Sequence, residues 1–199
     1  MPSSLIIADL HLTSSEADKT NLFVKFCQDQ ATKVDQLFIL GDLFNTWLGD
    51  DLSLDDYPEI ISELKALSIT TQIFMMTGNR DFLLGDEFAK QTGASLIDSP
   101  YLLESGTEQY VLTHGDELCT DDKGYQQLKS ILQHPITQFI FLHLPKATRS
   151  KLAGKIRKKS VKAQQYKSSE IMDVNPGAVI ELMEKYPDTN LIHAHTHRL

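Results

Sequence analysis

The sequence predicts an α/β fold in which layers of sheet and helix alternate, and three observations support this class. Five short apolar runs are rich in β-branched or aromatic residues, which is typical of buried strands. Segments with the helical spacing of apolar residues lie between them. A polar cluster follows each apolar run, and open α/β sheets bind ligands beyond the carboxyl ends of their strands. We therefore expect residues 1–199 to form a single α/β domain with a functional site at one sheet edge.

The apolar runs are too short for helices and are predicted as strands. They cover residues 5–8, 36–40, 72–76, 109–112 and 190–192. The polar clusters that follow them are, in chain order, Asp9-Leu10-His11, Gly41-Asp42, Gly78-Asn79-Arg80-Asp81, His114-Gly115-Asp116 and His195-Thr196-His197. Because ligand sites of α/β sheets lie beyond the carboxyl ends of the strands, these clusters are expected to converge in space.

Helices are predicted where apolar residues recur on one face of the chain. Leu22, Phe23, Phe26 and Cys27 have this spacing, and residues 60–67 repeat it. A third helix is predicted after Asn175, because asparagine is a good N-cap residue and the next residue is a proline suited to the first helical turn.

The segment of about residues 123–169 interrupts this alternation and is predicted as a helical insertion. Eleven of the nineteen Lys and Arg residues lie between residues 123 and 167, where no Asp or Glu occurs. Positions 136, 139, 140, 143 and 144, which are apolar apart from His143, fall on one helical face. Both features together favour an element that rests on an anionic membrane surface. The alternatives are a small helical subdomain that packs on the core and, for the charge alone, a solvated helical face.

The composition argues against several classes of protein. A formal net charge of −8 argues against a general nucleic-acid-binding protein. No apolar run approaches the roughly 20 residues of a membrane-spanning helix, and the first residues lack the pattern of a signal peptide. Cys27 and Cys119 cannot form a disulfide framework. We therefore expect a reduced, cytoplasmic protein.

The polar clusters predict a metal centre. They offer carboxylate, amide and imidazole ligands without a thiolate, a mixture that suits Mn²⁺, Fe²⁺ or Zn²⁺. On an extended chain, residues two apart point to the same side, so each Asp-x-His or His-x-His pair is expected to direct two ligands into one cavity. The candidate ligands are Asp9, His11, Asp42, Asn79, His114, His195 and His197. Seven ligands suit two ions about 3.5–4 Å apart that share a carboxylate. Glycines 41, 78 and 115 are expected to allow a close approach of the backbone.

The ordered set of motifs resembles the calcineurin-like metallophosphoesterase superfamily, whose pattern is D-x-H, G-D, G-N-[H/R]-[D/E], H and H-x-H. The match spans the whole chain. Most of that superfamily has a His where this sequence has Arg80. With that Arg, and with the segments 41–51, 114–122 and 171–175, the sequence is similar to the family of UDP-2,3-diacylglucosamine pyrophosphatases of lipid A biosynthesis. The resemblance implies a sandwich of two β-sheets flanked by helices, with segment 123–169 as a helical lid.

The resemblance also implies a role for each matching residue. Two Mn²⁺ ions per chain are implied, with Asp42 shared between them. The first ion would be held by Asp9, His11, Asp42 and His197, and the second by Asp42, Asn79, His114 and His195. The catalytic contacts to the substrate phosphates would come from Asn79 and Arg80. The remaining substrate contacts would come from Asp122, Ser160, Gln164, Lys167 and His195.

The implied reaction is hydrolysis of the diphosphate bond of UDP-2,3-diacylglucosamine to UMP and 2,3-diacylglucosamine 1-phosphate by a metal-activated water. The implied partners are this acylated UDP-glucosamine and the inner-membrane surface, with no nucleic acid. The implied location is the cytoplasmic face of the inner membrane, bound peripherally.

Two departures from the family pattern bear on these expectations. Ala194 stands where relatives have a Gly, and it would be strained if that position needs a positive φ. The sequence ends two residues after His197, whereas family members continue, so C-terminal strands of the second sheet are expected to be absent.

The sequence is compatible with two other functions. One is a broader phosphodiesterase of the same superfamily that acts on nucleotides or nucleic acid. The other is a catalytically silent lipid- or protein-binding module. The complete ligand set disfavours the silent module, and Arg80 together with the basic, apolar segment disfavours the broader enzyme.

Overall fold

The computed structural model describes residues 2–164, 171 and 173–197, excluding the side chains of residues 162–164. The strands within this part of the chain are β1 Ser4–Ile7, β2 Gln36–Leu40, β3 Gln72–Met76, β4 Ser95–Ile97, β5 Tyr101–Ser105, β6 Glu108–Thr113 and β7 Asn190–His193. The helices are α1 Ala17–Asp29, α2 Asp50–Ser53, α3 Pro58–Leu67, α4 Asp86–Thr92, α5 Lys123–Leu132, α6 Pro135–Leu142, α7 Lys146–Gln164 and α8 Pro176–Met183.

The described strands form two sheets. The first is a parallel sheet with the strand order β1-β2-β3-β4. In the second sheet, β5 and β6 form an antiparallel hairpin and β7 pairs with β6 in parallel. The expected architecture of two sheets flanked by helices is therefore confirmed.

Strand β2 faces two different cores because its side chains alternate. Leu37 and Ile39 are buried among residues of α1, α3 and α4, on one face of the parallel sheet. Phe38 and Leu40 are buried on the other face, against Leu112 and other residues of the second sheet. A strand that is covered on both faces carries an uninterrupted apolar run, which is why the sequence signal for β2 is strong.

The five predicted strands correspond to β1, β2, β3, β6 and β7, with ends that agree exactly or differ by one residue. Strands β4 and β5 were not predicted. Strand β4 has only three residues, and the buried Leu103 of β5 is flanked by polar or exposed residues, so neither gives a continuous apolar signal. The three predicted helices correspond to α1, α3 and α8. As expected for a cap, the Asn175 side-chain oxygen accepts from the Gly177 backbone N–H at 2.8 Å.

Segment 123–169 is largely helical over its described residues, as predicted. It contains α5, α6 and α7, and Pro135 occupies the first turn of α6. Among the described residues, no helix is both long enough and apolar enough to span a bilayer.

We predict that Gly78→Ala will lower the free energy of unfolding by about 1–3 kcal/mol or more. A Cβ at residue 78 would lie 2.5 Å from the backbone nitrogen of Asp42, so the loops after β2 and β3 would have to separate. Gly154→Ala in α7 is the matched control, because nothing lies within 4 Å of a Cβ there. It should be neutral or stabilise the protein by up to about 1 kcal/mol. Urea unfolding measures both changes, and equal effects would contradict the prediction.

Candidate metal centre

The seven predicted ligand residues lie together at the ends of five strands. They follow β1 (Asp9, His11), β2 (Asp42), β3 (Asn79), β6 (His114) and β7 (His195, His197). The fold brings residues from opposite ends of the chain into contact, since the Nε2 atoms of His11 and His197 are 3.3 Å apart.

The ligand loops have an unusual backbone conformation. Five of the seven residues have a positive φ: Asp9 (55°), His11 (49°), Asp42 (53°), His195 (69°) and His197 (53°). Such conformations are costly for residues with a Cβ and cluster at functional sites. The paired ligands converge as predicted, but the expected extended backbone is wrong, because the strands end before the paired ligands and each of these has a positive φ. Ala194 has no positive φ, so the expected strain at that residue is absent.

Asp42 lies at the middle of the cluster. Its Oδ2 atom is 3.7 Å from His11 Nδ1 on one side and 3.9 Å from His114 Nε2 on the other. Its Oδ1 atom accepts a hydrogen bond from the Arg80 backbone N–H at 2.8 Å. The carboxylate therefore faces both groups of ligands, which is the position that a shared ligand needs.

Asn79, His114 and His195 form the more buried group. The Asn79 Oδ1 atom is 3.2 Å from His114 Nε2 and 3.1 Å from His195 Nδ1. Two ligand atoms at right angles on one ion, each about 2.1–2.2 Å from it, are about 3 Å apart. The spacing of these three ligand atoms therefore suits a single divalent ion.

Asp9, His11 and His197 form the more open group. Their ligand atoms lie within 4.8 Å of one another. Asp9 Oδ1 and His11 Nδ1 are buried and have no hydrogen-bond partner. Buried polar atoms without a partner cost free energy, and a cation bound here would satisfy both. The donor set and these two atoms fit a divalent metal ion.

A second carboxylate, that of Asp81, fixes the loops that carry the ligands. Asp81 is fully buried and accepts hydrogen bonds from the backbone N–H groups of Asp42, Phe44 and Gly78. Three backbone donors on one carboxylate hold the loops after β2 and β3 in register. This arrangement agrees with the close backbone approach that the glycine at position 78 permits.

Asp116 supports the other side of the cluster. It pairs with Lys129 at 2.9 Å and accepts a hydrogen bond from the Tyr125 hydroxyl. The Tyr125 ring stacks on the ring of His195, with centroids 6.0 Å apart. Burial alone would raise the pKa of Asp116, but the charges of Lys129 and His114 and the hydrogen bonds from Lys129 and Tyr125 together outweigh it and lower the pKa to about 2.

Burial controls the protonation of the centre. It lowers the pKa of His11 and of His195 to about 4, so both imidazoles are neutral at physiological pH. It raises the pKa of Asp42 to about 7, against the opposing effect of His114. Burial also acts to lower the pKa of His114, but the carboxylates of Asp42 and Asp116 outweigh it and raise the pKa. The Asp42–His114 pair therefore retains a proton that a cation would displace.

The ligand cluster opens into a cavity of about 790 Å³. At its polar end the cavity is lined by His11, Asp42, Asn79, Arg80, His195 and His197. Its apolar wall comes from residues 128–161 and contains Leu128, Leu132, Ile140, Phe141, Leu144, Leu152, Ile156 and Val161. The cavity can therefore hold a molecule with an anionic end and an apolar end.

The family model of the calcineurin-like phosphoesterases matches residues 3–199. The chain belongs to the calcineurin-like phosphoesterase family.

Curated phosphoesterases named UDP-2,3-diacylglucosamine hydrolase are similar to this chain over nearly its whole length. The protein from Tolumonas auensis is 44% identical, and the alignment covers 98% of this chain and 80% of that protein. The protein from Shewanella loihica is 43% identical over all of this chain and 82% of its own length. The protein from Pseudomonas savastanoi is 42% identical, with 98% and 79% covered. The suspected resemblance to this branch of the phosphoesterase family is confirmed.

The predicted substrate residues of this phosphoesterase have different positions. Arg80 lines the polar end of the cavity, and its Nε atom is 3.6 Å from Asp42 Oδ2. Asp122 and Ser160 also line the cavity, and Asp122 additionally caps α5 by accepting from the Tyr125 backbone N–H at 2.9 Å. Lys167 and the side chain of Gln164 lie outside the described residues.

Sequence reasoning missed three residues that contact the predicted ones. Tyr125 stacks on His195, Asn45 accepts from Arg80 at 3.2 Å, and Arg157 donates to Asn45 at 2.9 Å. Asn45 follows the G-D motif by three residues, and Arg157 lies one helical turn before Ser160. The position of Asn45 near the G-D motif and that of Arg157 near Ser160 are the sequence features that indicate these two residues.

We predict that divalent metal binds this phosphoesterase more tightly as the pH rises towards 7. The proton on the Asp42–His114 pair must leave before a cation binds, so the apparent Kd for Mn²⁺ should fall about tenfold per pH unit between pH 5 and pH 7. His11 and His195 should add little to this pH dependence above about pH 5, because the pKa of each is about 4 and both are already neutral there. Calorimetric titration in two buffers of different ionisation enthalpy counts the released protons.

The control for this measurement is Asp42→Asn, which removes the titrating carboxylate and should flatten the pH dependence while weakening binding. Identical Mn²⁺ affinities at pH 5.5 and pH 7 in the unmodified protein, with no proton release, would contradict the prediction.

Proposed function

We propose that this protein hydrolyses the diphosphate bond of UDP-2,3-diacylglucosamine, giving UMP and 2,3-diacylglucosamine 1-phosphate. One observation carries the proposal: a single cavity joins the ligand cluster to an apolar wall. The substrate has the same two parts, a diphosphate and two acyl chains. The names of relatives at 42–44% identity support the same substrate.

The polar end of the cavity supplies cations and hydrogen-bond donors for the diphosphate. Arg80 has a planar, permanently charged guanidinium group that suits a phosphate. Asn79 adds an amide beside it, at the same end of the cavity. Because an arginine keeps its proton at physiological pH, Arg80 stabilises negative charge and does not act as a general acid.

Two divalent ions, which we propose to be Mn²⁺, would be held by the seven ligand residues. Asp9, His11 and His197 would hold one ion, and Asn79, His114 and His195 the other, with Asp42 between them. When bound, such ions neutralise phosphate charge and lower the pKa of water at the site. The neutral imidazoles and the oxygen donors support this choice of metal class.

The remaining substrate contacts are proposed from the positions of residues along the cavity. Asp122 and Ser160 line it, and we assign them to the sugar. His195 lines its polar end. Gln164 and Lys167 follow Ser160 in the sequence, and we assign them to the same sugar and diphosphate contacts.

The activity assay that tests this proposal measures UMP release from UDP-2,3-diacylglucosamine, with Mn²⁺ and with EDTA. We expect turnover that EDTA abolishes, and slower turnover of UDP-N-acetylglucosamine, which lacks the long acyl chains. Arg80→Ala should lower kcat about 10²-fold while the metal stays bound, because a fixed positive charge at the phosphate is lost. Lys33→Ala is the control, since that exposed cation lies away from the cavity and should leave kcat unchanged.

Hydrolysis of bis(p-nitrophenyl) phosphate with no turnover of the acylated sugar nucleotide would contradict the proposed substrate. It would favour a broader phosphodiesterase instead.

We also propose that α5–α7 form a lid inserted into the phosphoesterase domain, and that this lid rests on the cytoplasmic face of the inner membrane. Ile131, Ile136 and Phe139 support this, because their side chains are 60%, 64% and 64% exposed and do not line the cavity. Helix α7 adds many cations and no acidic residue. Exposed apolar side chains beside cations favour an anionic bilayer surface.

Flotation with vesicles tests the membrane contact. We expect binding to phosphatidylethanolamine–phosphatidylglycerol vesicles and weaker binding to pure phosphatidylcholine. Replacing Ile136 and Phe139 together by Ser should weaken partitioning into the vesicles about tenfold or more, because two apolar side chains that would insert into the bilayer are lost. The matched control replaces the exposed Leu22 and Ile69 by Ser, far along the chain from the lid. Equal loss in both double variants would contradict the proposed surface.

A further inference from the structure

Two arginines meet at one amide oxygen at the edge of the cavity. Arg80 Nη1 donates to Asn45 Oδ1 at 3.2 Å, and Arg157 Nη2 donates to the same oxygen at 2.9 Å. The other nitrogen of that guanidinium group, Arg157 Nη1, donates to Thr46 Oγ1 at 3.0 Å. Because Asn45 accepts from both arginines, it fixes the two guanidinium groups beside each other.

The charges of these two arginines are balanced unequally. Arg80 Nε is 3.6 Å from the carboxylate of Asp42. Over the described part of the chain, no carboxylate forms an ion pair with Arg157, whose hydrogen-bond acceptors are neutral oxygens. Two neighbouring cations repel each other, and an anion placed between them removes this cost.

Arg157 faces the same cavity as the ligand cluster. Arg80, Asn45, Thr46 and Arg157 all line it, and so does Ser160, one helical turn after Arg157. The pair of arginines therefore extends the positive lining of the cavity from the metal ligands towards α7.

A buried arginine anchors the helix that carries Arg157. Arg149 is 1% exposed, pairs with Asp51, and donates to the Leu48 backbone oxygen at 2.7 Å. These contacts join α7 to the loop after β2, the same loop that contains Asn45. Helix α7 is therefore anchored to this loop upstream of Arg157, and the hydrogen bonds to Thr46 and Asn45 hold the exposed Arg157 side chain at the cavity.

We propose that Arg157 binds the second phosphate of the diphosphate, the one that water does not attack, and that Asn45 positions Arg157 and Arg80 for the two phosphates. This proposal rests on the proposed function.

In the hydrolysis, the water oxygen adds to one phosphorus and its protons pass to solvent. The bond from that phosphorus to the bridging oxygen breaks, and the electron pair leaves with the second phosphate. Arg157 stabilises the charge that develops there.

The first test compares Arg157→Gln with Lys158→Gln, a neighbouring exposed cation on the same helix. We expect kcat/KM for UDP-2,3-diacylglucosamine to fall about 10–100-fold in Arg157→Gln and to stay within about twofold in Lys158→Gln. Equal effects of the two substitutions would show that only general positive charge matters, and would overturn the proposal.

The second test separates a phosphate contact from a structural role. UDP and UMP are used as competitive inhibitors of the same reaction, because UDP has the second phosphate and UMP lacks it. Arg157→Gln should weaken inhibition by UDP about tenfold and change inhibition by UMP less than about twofold. Equal weakening of both inhibitors, or of neither, overturns the proposal.

A different result is expected if the proposed function itself is wrong. In that case the unmodified protein would not hydrolyse the acylated sugar nucleotide at all. Calorimetric titration of the Mn²⁺-loaded protein with UDP and with UMP would then still decide whether Arg157 binds a second phosphate.

Discussion

Burial of one carboxylate, that of Asp42, constrains the rest of the structure. The side chain is almost fully buried among histidines, and burial raises its pKa to about 7. A carboxylate in such a place is costly unless it is protonated or paired with positive charge. The loops after β2 and β3 are held close together around this carboxylate. Asp81 holds their backbone N–H groups, and only a glycine at residue 78 allows the loops after β2 and β3 to come so close.

The two ends of the cavity are held in place by different physical means. The ligand cluster is fixed by backbone hydrogen bonds and by left-handed residues at the ends of buried strands. The apolar wall belongs to α5–α7, whose described residues are mostly exposed or half-buried. Helix α7 is joined to the loop after β2 through polar contacts of Arg149 and Arg157. A rigid polar end and a more loosely packed apolar end suit precise binding of phosphate and tolerant binding of acyl chains.

The sequence was sufficient to predict the layered α/β class, five of the described strands and the seven clustered residues, because each ligand follows a buried apolar run. It was insufficient where the structure depends on distant contacts. The left-handed conformations of Asp9 and His195 leave no mark in the composition, since they result from the loops that pack around them. The contact of Asn45 with Arg157 joins residues 112 positions apart, and no local pattern reports it. Strand β4, with three residues at a sheet edge, is too short to give a periodic signal.

We propose that two divalent cations share the carboxylate of Asp42. An anomalous difference map from crystals soaked in Mn²⁺, recorded at the manganese absorption edge, tests it most directly. We expect two peaks about 3.5–4 Å apart, one on each side of the Asp42 carboxylate. A single peak, or a pair of peaks that does not include Asp42 as a ligand, would contradict it.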